Sequence, residues 1–329
     1  MQYETLTAND GCTIAFQTSH PLAPAPPTPT SANPPGPPSA IPSTCILLLH
    51  GFSGSSAYFT RNFAALRQTH WVVAPDMRGH GLSSRTRGGY HVARLAADLR
   101  ELLAHLRSSA NSKTTPSPTP CRFVPVGCSI GAAVLWTYVE LFGEDPDLAG
   151  FVFVDQAPLQ DRSLFGAWDE TRAHYGCFDE KRLLAAQEAW VSRPAETHRA
   201  LVAECLGYRF RPGAGDRVGE EEAGRDEEFF TRISAACDGV WLARLLADHT
   251  RYDHREAVEG ITRPTLVMAG RRSGCFPLAG MAETVGRVRK GGSVMDRKAE
   301  LSVFESGHWL FYEESERFNK ELLEFMDRV

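Results

Sequence analysis

The chain has 329 residues, 43% of them hydrophobic, enough to bury a sizeable core as one large α/β domain or two smaller ones. With 35 basic and 40 acidic residues its net charge is -5, which provides no basic field for nucleic acid or an anionic membrane surface. A small-molecule partner is expected instead, and a homodimer is left open.

The N-terminal stretch MQYETLTANDGCTIAF has neither a basic n-region nor an apolar h-region. No window approaches the roughly 18 to 20 apolar residues of a membrane span, so a cytoplasmic location is expected. Eight cysteines are scattered without C-x-x-C spacing in a chain too long to need stapling. They are read as reduced and packed.

Taken in chain order, the first feature is a Pro-rich insert at 20–42, whose composition offers little to bury and predicts a surface loop. CILLLHG (45–51) and WVVAPD (71–76) are short apolar runs expected as strands covered on both faces. The segment 93–106 places Leu95, Leu99, Leu102, Leu103 and Leu106 at helical spacing. A second Pro/Ser/Thr-rich insert at 108–120 precedes the strand RFVPVG (122–127) and a breaker-free helical run at 130–139. FVFVD (151–155), TLVMAG (265–270) and LSVFES (301–306) complete the strand set, and YEESERFNKELLEFM (312–326) reads as a closing helix.

The segment 159–260 breaks the strand–helix alternation, is helical and aromatic in pattern, and reads as an inserted helical cap. Its acid run GEEEAGRDEE (219–228) is expected as a solvated loop. The prediction is an α/β fold with a mostly parallel central sheet flanked by helices. Its core is 1–158 with 261–329, and its cap 159–260.

Gly127-Cys128-Ser129-Ile130-Gly131 sits where a strand-like run meets a helix-like one, fitting the G-x-S-x-G nucleophile elbow. A serine hydroxyl needs a base, and His308 lies between the last strand and the last helix in the required chain order. HGFSG (50–54), PDMRGHG (75–81), VGCSIG (126–131) and SGHWLFYEESERF (306–318) together resemble the ordered signature of the α/β-hydrolase superfamily. The look is that of its esterase, non-heme chloroperoxidase and zearalenone lactonase groups.

That resemblance implies Ser129 as nucleophile and His308 as general base. It implies an oxyanion hole from the backbone N–H of Ile130 and of Phe52, with Ser53 as the alternative to Phe52. Most members take the triad acid from just after the strand that here reads TLVMAG. This chain has AGRRSGCFP there, with Ser273 at the expected place and no carboxylate from 270 to 281. One strand earlier, Asp155 ends FVFVD on the sheet edge that faces the nucleophile, and the lactonase group is similar in using that strand. Asp155 is therefore the expected acid, a turn cap being its other reading.

Asp76, Arg78, His50 and His80 are read as turn-fixing residues, and Cys128 as packing. Trp168, Trp190 and Trp241 are candidates to line an apolar pocket. No HExxH, paired C-x-x-C or G-x-G-x-x-G motif appears, so neither metal nor cofactor is expected. The implied activity is hydrolysis of a bulky or apolar carboxylic ester or lactone. The alternatives are a cofactor-free perhydrolase, lyase or C–C bond hydrolase, or a ligand-binding receptor on the same fold.

Overall fold

A run of apolar β-formers can lie in a sheet only if both faces are covered, and the central strands show this. The computed structural model describes residues 1–22, 41–110, 120–160, 178–210, 218–290 and 299–329. Among these, eight strands form one sheet: β1 (Gln2–Thr7), β2 (Thr13–Thr18), β3 (Thr44–Leu49), β4 (Trp71–Pro75), β5 (Arg122–Cys128), β6 (Phe151–Val154), β7 (Thr265–Gly270) and β8 (Ala299–Phe304). Their order is β1-β2-β4-β3-β5-β6-β7-β8. The six from β3 to β8 pair in parallel, while β1 and β2 form an antiparallel hairpin on the edge beside β4.

Along β3, Cys45, Leu47 and Leu49 face one core and Ile46 and Leu48 the other, the two-residue alternation of a pleated strand. The helices of the sheet layers are α1 (Phe63–Leu66), α2 (Val92–Ala110), α3 (Ile130–Phe142), with α9 (Leu278–Lys290), α10 (Leu310–Glu313) and α11 (Ser315–Met326) late in the chain. Buried side chains of α2, α3 and α9 fill the first core. Those of α1, α10 and α11 fill the second.

Between β6 and β7 run α4 (Glu180–Ser192), α5 (Pro194–Cys205), α6 (Glu220–Ala235), α7 (Gly239–Arg251) and α8 (Arg255–Glu259). The acid run expected as a loop is instead the start of α6. Glu220, Glu221 and Glu222 occupy its first turn, where carboxylates complement the positive end of the helix dipole. Phe230 and Ile233, one turn apart further along, anchor its inner face. A count of like charges cannot separate a solvated loop from the solvent face of a capped helix.

The second Pro-rich insert also begins later than its composition suggests, because α2 continues to Ala110. Most of both inserts, 23–40 and 111–119, lies outside the described residues. No helix among the described residues is long and apolar enough to cross a membrane.

Candidate active site

β5 ends at Cys128 and α3 begins at Ile130, so Ser129 alone makes the turn, with φ 53° and ψ -124°. A side chain rarely occupies this region, and the turn is held from both sides. The Ser129 N–H donates to the Val154 carbonyl at 2.9 Å, and its own carbonyl accepts from the Ala132 N–H at 2.8 Å. A Cβ on Gly127 would stand 2.5 Å from the Gly131–Ala132 backbone, and one on Gly131 would stand 2.7 Å from the Leu49 carbonyl oxygen. Both glycines of the motif are therefore steric requirements. Cys128 is buried in the second core, and burial pushes its thiol pKa far up.

Asp155 directly follows β6, is fully buried and adopts φ 48°, a region that Asp tolerates better than most residues. Its Oδ1 accepts from the Gly270 N–H at 3.2 Å and its Oδ2 from His308 Nδ1 at 2.6 Å. With Nδ1 donating to that oxygen, Nε2 is the imidazole nitrogen left over. Burial opposes the imidazolium. The charge of Cys275 where it is ionised, and the hydrogen bond and charge of Asp155, outweigh it and raise the His308 pKa. The Cys275 thiol is itself pushed well above its ordinary range, so it is neutral near pH 7 and Asp155 is the lasting cause.

Among the described residues no hydrogen bond joins Ser129 to His308, although both line one cavity. The Ser129 hydroxyl instead points to Gln156 Oε1 at 3.5 Å. Such contacts are often long before substrate is bound. Ser273, at the place where most family members carry the acid, accepts from the N–H groups of Cys275 and Phe276 at 3.3 and 3.2 Å and so caps its turn.

The loop bearing His308 is held by contacts that motif reading passed over. A Cβ on Gly270 would lie 2.0 Å from the Gly307 carbonyl oxygen, and one on Gly307 would lie 2.3 Å from the Cys205 carbonyl oxygen. The end of β7, the His308 loop and the end of α5 are thus in backbone contact. Glu313 fastens them further, accepting from the Gly307 N–H at 2.7 Å and the Gly207 N–H at 3.0 Å. Burial raises its pKa to about 7 even against those hydrogen bonds. In the sequence these are isolated glycines and one more glutamate in an acidic helix.

The cavity has a volume of about 580 Å³ and is walled by the sheet edge on one side and by α4, α5 and α7 on the other. Phe52 lines it and packs edge-on against Trp190 with ring centroids 5.2 Å apart. Ile130, the other expected oxyanion donor, opens α3, where first-turn N–H groups have no intrahelical acceptor. Ser53 also has a positive φ, 54°, but its hydroxyl bonds to that of Ser234 at 3.0 Å. Two charged side chains enter the largely apolar lining, Arg182 and Glu204, and burial raises the pKa of Glu204.

Of the three tryptophans expected in a pocket, Trp190 lines the cavity. Trp241 does not. It packs edge-on to His80 at 5.7 Å, its Nε1 donates to the Gly88 carbonyl at 3.1 Å, and it covers Gly79, where a Cβ would come within 2.8 Å of the indole. Trp168 lies outside the described residues. Trp190→Ala is therefore expected to alter the KM ratio between bulky and small substrates. Trp241→Ala should leave that ratio within about twofold while costing about 3 kcal/mol of stability, as read by denaturant unfolding.

The turn-fixing residues are placed accordingly. Asp76 accepts from the N–H groups of Ser56 and Leu82 at 2.7 and 2.8 Å, and Arg78 pairs with Asp10 and Asp98. His50 accepts the Met77 N–H on Nε2 at 2.9 Å, and burial lowers its pKa to about 4.

A model of the alpha/beta hydrolase family matches residues 46–321. The chain belongs to the alpha/beta hydrolase family. Among curated sequences it is similar to an uncharacterized protein of Mycobacterium tuberculosis, 43% identical over 61 residues, which is 18% of each chain. It is also similar to a soluble epoxide hydrolase of Corynebacterium sp. (strain C12), 38% identical over 61 residues, or 18% of this chain and 21% of that one. The chain thus spans about a fifth of the length of these curated relatives.

Solved structures align over almost the whole chain. An esterase from Exiguobacterium antarcticum superimposes with a TM-score of 0.75 at 17% identity, covering 98% of both chains. A bromoperoxidase from Bacillus anthracis gives 0.74 at 18% identity, covering 99% of this chain and 100% of that one. The enol-lactonase from Burkholderia xenovorans LB400 gives 0.70 at 14% identity, covering 98% and 100%. At these identities the likeness is one of fold.

Proposed function

We propose that the protein is a serine hydrolase acting on a carboxylic ester or lactone. The observation that carries this reading is the buried 2.6 Å contact from His308 Nδ1 to Asp155, with Ser129 on its strained turn in the same cavity. Ser129 attacks the acyl carbon while His308 takes its proton through Nε2. The N–H groups of Ile130 and Phe52 receive the charge that develops on oxygen. Asp155 fixes the imidazole tautomer and stabilises the imidazolium, and water then releases the acyl group from Ser129.

Serine at the elbow favours this chemistry over one that forms an ester on a carboxylate, as an aspartate there would. The apolar lining favours a substrate with a bulky, uncharged body, and the helices between β6 and β7 serve as its cap. A carboxylate at the end of β6 also supplies the acid whose absence beside Ser273 would have favoured a receptor.

A panel of aryl esters and lactones, followed by acid release, tests the reading. Multiple turnovers are expected from the wild type and none above background from Ser129→Ala. Tight binding without product release would replace the hydrolase with a receptor.

A further inference from the structure

Beyond the proposed triad, the cavity wall brings together three soft-metal donors from distant parts of the chain. Cys205 ends α5, Cys275 lies in the turn after β7, and His308 follows β8. One ligand atom from each lies within 4.8 Å of the others, and all three residues line the cavity. The two sulfurs are 3.6 Å apart. Two thiolates on a tetrahedral zinc at about 2.3 Å each stand about 3.8 Å apart, whereas a disulfide requires about 2.05 Å. The two sulfurs, a hydrogen-bonded thiol pair without a metal, are therefore already near the spacing a shared cation needs and too far apart for a covalent bond.

The histidine is also prepared for a metal. Asp155 accepts from Nδ1 at 2.6 Å, so a cation would have to take Nε2, and a carboxylate behind a histidine in this way orients the ring and raises its basicity toward a cation. The backbone contacts among Gly270, Gly307 and Cys205 fix the three supporting segments against one another. No spacing motif announces the set, because Cys205 and Cys275 are 70 residues apart and arrive through different elements.

We propose that Cys205, Cys275 and His308 form a binding site for a thiophilic divalent cation such as Zn²⁺, and that filling it withdraws His308 from the hydrolytic site. The second half of this inference rests on the proposed function, and the first half does not. Two thiol protons pass to solvent as the cation binds, and the fourth coordination position opens to the cavity for water. With Nε2 on the metal, the Ser129 proton has no acceptor. The site is then a reversible off-switch.

The test adds Zn²⁺ to the reduced full-length protein in a non-chelating buffer. It measures retained metal after dialysis, mapped alkylation of each cysteine, and fluorophosphonate labelling of Ser129. About one zinc per chain is expected, with affinity falling about 100-fold in Cys205→Ser and in Cys275→Ser. In the wild type itself, zinc should protect Cys275 from alkylation and leave Cys237 unchanged, so the result does not depend on how well the variants fold. Zinc should also slow labelling of Ser129, and EDTA should restore it.

No retained zinc, or zinc held equally well by both serine variants with Cys275 unprotected, overturns the site. Labelling at full rate with the site filled overturns the withdrawal of His308. Zinc uptake that needs both cysteines, in a wild type that never labels, upholds the metal site and overturns the hydrolase reading.

Discussion

Asp155→Asn is expected to lower turnover of any ester substrate about 10⁴-fold, or about 5.5 kcal/mol of transition-state stabilisation. The amide can offer its N–H₂ to His308 and so favour the tautomer with the proton on Nε2, which cannot accept from Ser129. Its pH profile carries a second signature. In the wild type the pKa of His308 is raised, so the neutral imidazole needed as a base accumulates only as pH rises above the ordinary histidine range. Removing the Asp155 charge leaves burial dominant, and burial lowers a histidine pKa. The residual activity of Asp155→Asn should therefore reach its plateau at lower pH than the wild type does.

Ser273→Ala is the control, since among the described residues the Ser273 hydroxyl receives turn N–H groups and touches neither Ser129 nor His308 by a hydrogen bond. Its rate should stay within a few-fold of wild type. Wild-type turnover by Asp155→Asn would remove Asp155 from the reaction.

Gly270→Ala and Gly307→Ala should each cost about 3 kcal/mol of stability and, in whatever fraction folds, most of the activity. The added methyl would stand 2.0 Å from the Gly307 carbonyl oxygen in the first and 2.3 Å from the Cys205 carbonyl oxygen in the second. Backbone cannot swing aside as a flexible side chain does, so the loop carrying His308 must shift. Misplacing a base by about 1 Å is enough to cost about 100-fold in rate. Gly286, in α9, has open space where its Cβ would be, and Gly286→Ala should instead stabilise by up to about 1 kcal/mol. Denaturant unfolding of the three variants separates these outcomes, and equal effects at all three positions would refute the contact argument.

The parallel strands could be read from the sequence because burial on both faces forces near-continuous apolar runs, as in β3 and β7. The edge hairpin is not legible in the sequence, for the complementary reason. β1 alternates exposed and half-buried residues and never presents such a run. The acid run of α6 reads as a loop because its first turn is almost wholly solvent-facing charge, and its anchoring apolar residues come later.

At the site, Ser129 was marked by a local motif and His308 by its place after the last strand, both properties of short stretches. The link between Asp155 and His308 spans 153 residues, and only the common sheet edge suggested it. Trp190 and Trp241 were indistinguishable as letters, because which face of a helix meets a cavity depends on how the helix docks. The Gly270–Gly307–Cys205 contact and the cysteine pair at the cavity wall are tertiary in origin and left no pattern along the chain.

If the proposed function holds, Ser129 is an activated nucleophile served by His308 and Asp155. Fluorophosphonate labelling of the wild type, Ser129→Ala and Asp155→Asn, read by intact mass and peptide mapping, tests it most directly. A single adduct on Ser129 is expected, with none in Ser129→Ala and a much slower adduct in Asp155→Asn. A folded wild type that takes up no label, or an adduct that survives in Ser129→Ala, would contradict it.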